Sequence, residues 1–330
     1  MKRLLVLFIL FFAFNVFAQL RLSYEKVEVT LENAVDAVRS LTAPTKLEVT
    51  GTITPTTKGN FDKLVDEIKT QKNLIHLDLS KVEGLKEIES ETFKDCTSLI
   101  SVILPDSVRY IGEYAFSSCS NLVSVIIPDS VTTIGDVAFS DCCNLENVTL
   151  GNVTYYIGIG AFSNCNNLTN VTISNSVIIG VSAFSGCKNL VDFYVDVNNP
   201  EYSSSADGKI LFNKDKTELI AYPSAAGDIA IPSNVATVGL NAFMNCSNIT
   251  RVVIGNSVTT IKDGAFYKCK DLINVIIPDS VTSIGNSVFS YCENLKTVNY
   301  KGTAEQWKKI SIGLGNEYLT NAIINYNYRE

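Results

Sequence analysis

Eight cysteines, Cys96, Cys119, Cys142, Cys165, Cys187, Cys246, Cys269 and Cys292, are spaced by 23, 23, 23, 22, 59, 23 and 23 residues. A period held over that length excludes an ordinary globular domain and identifies an array of one repeated supersecondary unit. The unit from Cys119 to Asp141, CSNLVSVIIPDSVTTIGDVAFSD, returns as CTSLISVILPDSVRYIGEYAFSS from Cys96 and as CKDLINVIIPDSVTSIGNSVFSY from Cys269. The 59-residue interval accommodates two turns, the second phased from Pro223 through Ile229, Ile231, Pro232, Val235, Val238, Gly239, Ala242 and Phe243. The first, Cys187 to Tyr222, then carries 13 extra residues. Asp207-Gly208, Ile210 to Phe212 and Glu218 to Ala221 read as a β-hairpin pushed out near 196–222. A degenerate turn from Gln71 to Asp95 precedes the array, giving about ten turns.

Within a turn, Val125 and Ile127 alternate with Ser124 and Ile126, the period of a short strand. Pro105, Pro128, Pro232 and Pro278 end such strands, because proline cannot donate to a ladder. Val131, Ile134 and Gly135 form a second apolar corner, and Ala138-Phe139 closes the turn with a bulky plug. The apolar side chains of one turn cannot offset the entropy of ordering its backbone, so the turns must stack. Stacking pairs their strands in parallel at about 4.8 Å and produces a rod with one narrow strand face.

The ends depart from the period. Met1-Lys2-Arg3, eleven apolar residues from Leu4 to Phe14, and Val16-Phe17-Ala18 read as a secretory signal peptide over 1–18, too short to span a bilayer. Residues 19–70 read as an α/β cap over the open edge of the first turn, with helical spacing at Leu31, Val35, Val38 and Leu41 and at Phe61, Leu64, Val65 and Ile68. The solenoid then occupies 71–299 and a C-terminal cap 300–330. That cap opens on a capping box, Thr303 with Gln306, and uses Trp307, Ile310, Ile312, Ile323 and Ile324 to cover the last turn.

Chemistry is sparse. The formal charge is −7, or 25 − 34 = −9 once Lys2 and Arg3 leave with the signal peptide, which disfavours nucleic acid as a partner. The single histidine, His76, lies beside Asp78 on the first strand, and both read as a solvated strand face rather than a catalytic pair. The cysteines read as buried small apolar groups: stacked side chains run parallel, a poor geometry for bridging, and no C-x-x-C is present. Asp106, Asp129 and Asp279 follow proline in equivalent turns and are explained by turn chemistry. No metal site, cofactor or catalytic group is therefore expected. Six Asn-x-Ser/Thr sequences, at Asn147, Asn152, Asn167, Asn170, Asn245 and Asn248, follow from repeats rich in asparagine and threonine.

The pattern C-x-x-L-x-x-V-x-I-P-x-S-V-x-x-I-G-x-x-A-F resembles the BspA-like leucine-rich repeats, over roughly Gln71 to Ile312. The hairpin-bearing segment Tyr202 to Pro223 and the ending from Tyr300 to Trp307 also resemble segments of that family. The chain departs from it where Gly151 and Ser174 replace the proline, Val288 the alanine, and Glu89 and Lys262 the glycine after isoleucine. The resemblance implies a leucine-rich-repeat solenoid, secreted or on the cell surface (a periplasmic location fits as well), and adhesion to extracellular matrix or host cell-surface proteins. It names no ligand.

Strand alternation sends one set of side chains outward: Ser101 and Ile103, Ser124 and Ile126, Asn147 and Thr149, Asn170 and Thr172, Tyr194, Arg251 and Val253, Asn274 and Ile276. Few are charged in a chain that is acidic overall. This nearly neutral, partly apolar surface is the candidate binding face of a monomeric recognition protein. The alternative is a structural spacer or self-assembling surface component.

Overall fold

The structure, a computed structural model, describes residues 25–148, 150–151 and 153–329. The signal-peptide segment 1–18, Thr149 and Asn152 lie outside the described residues. Successive units stack in one register, and the strand face pairs in parallel as His76, Ser101, Ser124, Asn147, Asn170 and Asp192. A second parallel ladder of two-residue strands runs through Tyr110, Thr133, Tyr156 and Ile178.

The third corner has no strand and is held by three devices. The Phe93, Phe116 and Phe139 amides each donate to the alanine carbonyl of the next turn at 2.7 Å. Phe93, Phe116, Phe139, Phe162 and Phe184 stack with centroids 5.1 to 5.8 Å apart, and Phe243, Phe266 and Phe289 at 4.8 and 5.3 Å. Six cysteine thiols donate to the phenylalanine carbonyl of the preceding turn, as from Cys119 to Phe93 at 2.9 Å and from Cys165 to Phe139 at 3.1 Å, and Cys246 donates instead to Tyr222 and Pro223 at 3.4 Å. The thiol is a weak donor, yet it gives each turn a polar contact with its neighbour inside an apolar core.

Glycine follows isoleucine for reasons of space. A Cβ on Gly112 would stand 2.5 Å from the Ser90 amide nitrogen, and one on Gly158 2.5 Å from that of Asp136. The left-handed residues fall elsewhere, one before the alanine and one after the phenylalanine of each plug, as at Val137 (φ 58°) and Asp141 (φ 61°).

The strand face has more members than about ten. An eight-stranded and a five-stranded sheet contribute thirteen strands among the described residues. The N-terminal strands Glu25–Thr30 and Thr45–Thr52 join the sheet in parallel, and Ile323–Asn325 pairs with Thr297–Tyr300. Helices Ala34–Arg39 and Lys58–Thr70 connect the first three strands and bury Val38, Phe61, Leu64 and Ile68. The cap thus continues the solenoid in degenerate form.

The insertion contains three strands. Tyr202–Ser204 and Leu211–Asn213 are antiparallel, Leu211–Asn213 and Glu218–Ala221 are antiparallel, and Glu218–Ala221 joins Thr237–Val238 in parallel. It breaks the strand face, which stops at Asp192–Val195 and restarts at Gly227–Ala230. The middle strand is a partition: Leu211 belongs to the N-terminal core and Ile210 and Phe212 to the C-terminal one, as alternation on a strand requires. Tyr222 stands in for a plug phenylalanine, donating its amide to Ala242 at 2.9 Å with its ring 5.8 Å from Phe243. At the outer edge of that corner, however, Asn241 donates to Ser182 Oγ at 2.9 Å across 59 residues. The interval thus holds two turns, with strand-face strands Asp192–Val195 and Gly227–Ala230 and plugs Tyr222 and Phe243, but the inserted strands replace the outer corner of the first and leave the corners on either side of it in direct contact.

At the C-terminal end the capping box forms, with Thr303 N donating to Gln306 Oε1 at 2.8 Å and Gln306 N to Thr303 Oγ1 at 3.2 Å. Trp307 packs edge-on against Tyr300 at 5.1 Å. Asn316 Oδ1 accepts the Phe289 amide at 3.1 Å, replacing the alanine carbonyl that a further turn would offer. Ile324 packs against the core, but Ile323 is 67% exposed, so the expectation that both cover the last turn is wrong for Ile323, which points to the other side of the strand.

Candidate functional site

Beyond Leu74–Glu83 the strand face is built from strands of two to five residues whose alternate side chains are plugged into the core at Val102, Val125, Val148, Val171, Phe193, Val252 and Val275. Their rigidity comes from pairing on both sides, except at Asp192–Val195, which ends its sheet. Of the outward residues expected from sequence, Ile126 (56%), Asn147, Thr172 and Tyr194 (57%) are exposed. Ile103, Ser124, Asn170, Arg251, Val253 and Asn274 are half-buried. Thr149 is not among the described residues.

Two expected members are buried. Ser101 is covered because its hydroxyl meets Nδ1 of His76 at 2.8 Å on the adjoining strand. Ile276 is inaccessible between its register neighbours Val253 and Asn299. Alternation determines which way a side chain points, whereas the size of its neighbours determines whether solvent reaches it. Val191 (47%) and Ile273 (44%) are exposed apolar residues that the sequence reading missed. They stand one residue ahead of their strands, where alternation gives no signal.

His76 and Asp78, expected in solvent, are buried as well. Burial, and secondarily the Lys46 charge, push the His76 pKa below its usual value. Asp78 takes the Ser80 amide at 3.1 Å, the Ser80 hydroxyl at 2.6 Å, and Lys46 at 3.4 Å. The Ser101–His76 pair thus lies closed within the sheet, where it ties two strands together. Beside it, Glu48 is held by Lys81 and by Lys26 at 3.3 Å, and these bonds, Lys81 first, keep its carboxyl below the ordinary range. The N-terminal end of the face is therefore occupied by its own ion pairs. The accessible portion runs from Ile103 to Tyr194 and resumes at Arg251, with Asp192 and Arg251 among its few charges.

The nine cysteines are free thiols. Among the described residues no three His, Cys, Asp or Glu side chains converge to hold a metal ion. No helix among the described residues is long and apolar enough to cross a membrane.

Parallel turns of about 23 residues, each with a short strand on one shared face, define a leucine-rich-repeat solenoid. The profile of the BspA type leucine rich repeat region matches residues 86–206 and 222–324 in six copies, and the chain belongs to that family. Such repeats are typically non-enzymatic binding modules. No curated protein matches the chain significantly. Among solved structures, it is similar to a leucine-rich repeat protein from Eubacterium ventriosum, with 28% identity and a TM-score of 0.59. That match covers 76% of this chain and 66% of the other, so the chain spans just under two thirds of that relative's length. A leucine rich cell surface protein from Faecalibacterium prausnitzii is 26% identical over 68% of this chain and 86% of its own, with a TM-score of 0.34. The pneumococcal vaccine antigen PcpA shares the fold, at 20% identity, a TM-score of 0.52 and 74% coverage of both chains.

Proposed function

We propose that the protein is a secreted or surface-held recognition module that binds an extracellular matrix or host cell-surface protein through its strand face. The observation that carries this reading is the exposure of Ile126, Val191 and Tyr194 among Asn147 and Thr172 on a preformed sheet whose accessible part is nearly uncharged. Rigid strands lose little freedom on binding, and aromatic and aliphatic groups within a polar surround are the usual composition of a protein contact. In this reading residues 1–18 direct export and the mature chain acts as a monomer without cofactor.

The test is capture of matrix or cell-surface proteins by the mature chain and by Ile126→Glu and Tyr194→Ser. Binding should fall at least tenfold in each and depend only mildly on salt, because few charges lie in the face. Unchanged capture by both folded variants would place the contact elsewhere. A second reading, self-assembly, is favoured by the unpaired outer edge of Ile323–Asn325 together with exposed Ile323 and Leu314 (85%). Light scattering separates the two: an assembler grows with concentration, whereas a receptor-like module does not.

A further inference from the structure

The position two residues after the second short strand's isoleucine, or after Val238, reads Ser90, Glu113, Asp136, Ile159, Val181, Leu240, Asp263 and Asn286 along the stack. It is acidic or polar on both flanks and apolar only in the middle. Ile159 (50%), Val181 (40%) and Leu240 (39%) are all exposed there, and Tyr155 (57%) and Ile178 (41%) widen the apolar area on the adjoining ladder. The three column members are neighbours: the Gly160 amide donates to Val181 O at 3.0 Å, and Asn241 bonds Ser182 at 2.9 Å.

Between Val181 and Leu240 the stack opens into a cavity of about 110 Å³, lined among others by Phe184, Leu211, Ile220 and Met244. Its origin is the insertion. Glu218–Ala221 enters the short-strand ladder, but the corners on either side meet without a full turn between them, so the layers part where the two cores are divided. The fold does not require exposed apolar side chains around this opening, since equivalent positions elsewhere are acidic or polar. An apolar cavity of about 150 Å³ takes up benzene; this smaller one suits a single branched aliphatic side chain. Around it, Asp136 and Glu113 stand on one side and Asp263 on the other, while Lys262 is neutralised by Glu218 at 2.6 Å.

We propose that this seam receives one aliphatic side chain of a polypeptide partner carrying lysine or arginine on both sides of that residue. The site lies off the strand face and stands apart from the function proposed above. Met1 and Met244 are the only methionines, so a 13C-methyl-methionine label places one reporter on the cavity wall. The mature chain is titrated with the acetylated, amidated peptide Lys-Lys-Leu-Lys-Lys. The Met244 signal should shift saturably, and affinity should fall at least tenfold with Lys-Lys-Ser-Lys-Lys, with Glu-Glu-Leu-Glu-Glu, and in the rim variant Leu240→Asn, with folding checked by circular dichroism. Equal binding of the serine peptide, saturation without a Met244 shift, or an equal loss in Ile126→Glu would each overturn the proposal, the last by locating the peptide on the strand face.

Discussion

Truncating Phe139 to alanine removes a fully buried ring held between Phe116 at 5.1 Å and Phe162 at 5.3 Å, nearly parallel to both. Deleting a buried phenylalanine costs roughly 3–5 kcal/mol, and a ring on each face, at roughly 0.5–1.5 kcal/mol per pair, places this site at the upper end, about 5 kcal/mol. In a stacked array the loss should stay on its own side of the Leu211 partition, since each turn contacts only its neighbours. Hydrogen exchange followed by mass spectrometry reads this directly: amides between residues 86 and 190 should lose about a thousandfold or more of their protection, those between 249 and 300 less than about tenfold. Phe289→Ala should do the reverse and cost about 1 kcal/mol less, because Phe289 stacks on Phe266 alone. Equal loss of protection in both halves after Phe139→Ala would refute two separable cores, and a cost below about 1 kcal/mol would refute the ring stack.

Three further outcomes follow from single residues. Val137 is left-handed and, unlike its equivalents Glu91, Tyr114, Gly160, Ser182, Asn241, Gly264 and Ser287, β-branched, so Val137→Asn should raise stability by about 1 kcal/mol in urea titration; a loss would show that its backbone is unstrained. Burial pushes the Cys96, Cys246 and Cys292 thiols up to about 12, so iodoacetamide at pH 8 should modify half-buried Cys143 first, and modification of the buried thiols before it in the native protein would contradict the packing described. The His76 pKa lies below 6.5 in the folded chain, so the unfolded chain takes the proton more readily and stability present above 6.5 is lost as pH falls towards the folded value. Denaturant midpoints at pH 7.5 and 5.5 should therefore differ more in the parent than in His76→Asn, and an identical difference would refute the assignment.

The period was open to sequence reading because the same contact recurs each time: Cys119, Val125, Pro128, Ile134 and Phe139 occupy places with identical surroundings in their neighbours. The capping box was legible too, since Thr303 and Gln306 interact within one helical turn. What stayed hidden depends on residues far apart in sequence. Ser101 and Ile276 point outward as alternation requires, but an imidazole from the preceding turn closes over one and register neighbours crowd the other. The residues from Lys46 to Ile53 read as a strand, but Glu25–Thr30 and Thr45–Thr52 lack cysteine, proline and plug, so nothing in them showed that they join the repeat face. The glycine after isoleucine resembles a turn glycine until the stacked backbone shows that only the missing Cβ matters.

Between Cys119 and Cys187 each thiol, ring and plug amide addresses the adjacent turn through the same atoms. Excising the 23 residues from Cys119 to Asp141 would simply bring Phe116 opposite Phe162, with every bond re-formed to an equivalent group. Slippage during gene copying can therefore lengthen or shorten the molecule without demanding a single compensating substitution, which makes its reach an adjustable trait. The strand Leu211–Asn213 is an exception: it faces a different core on each side and has no equivalent in the neighbouring turns, so recombination cannot cross it silently.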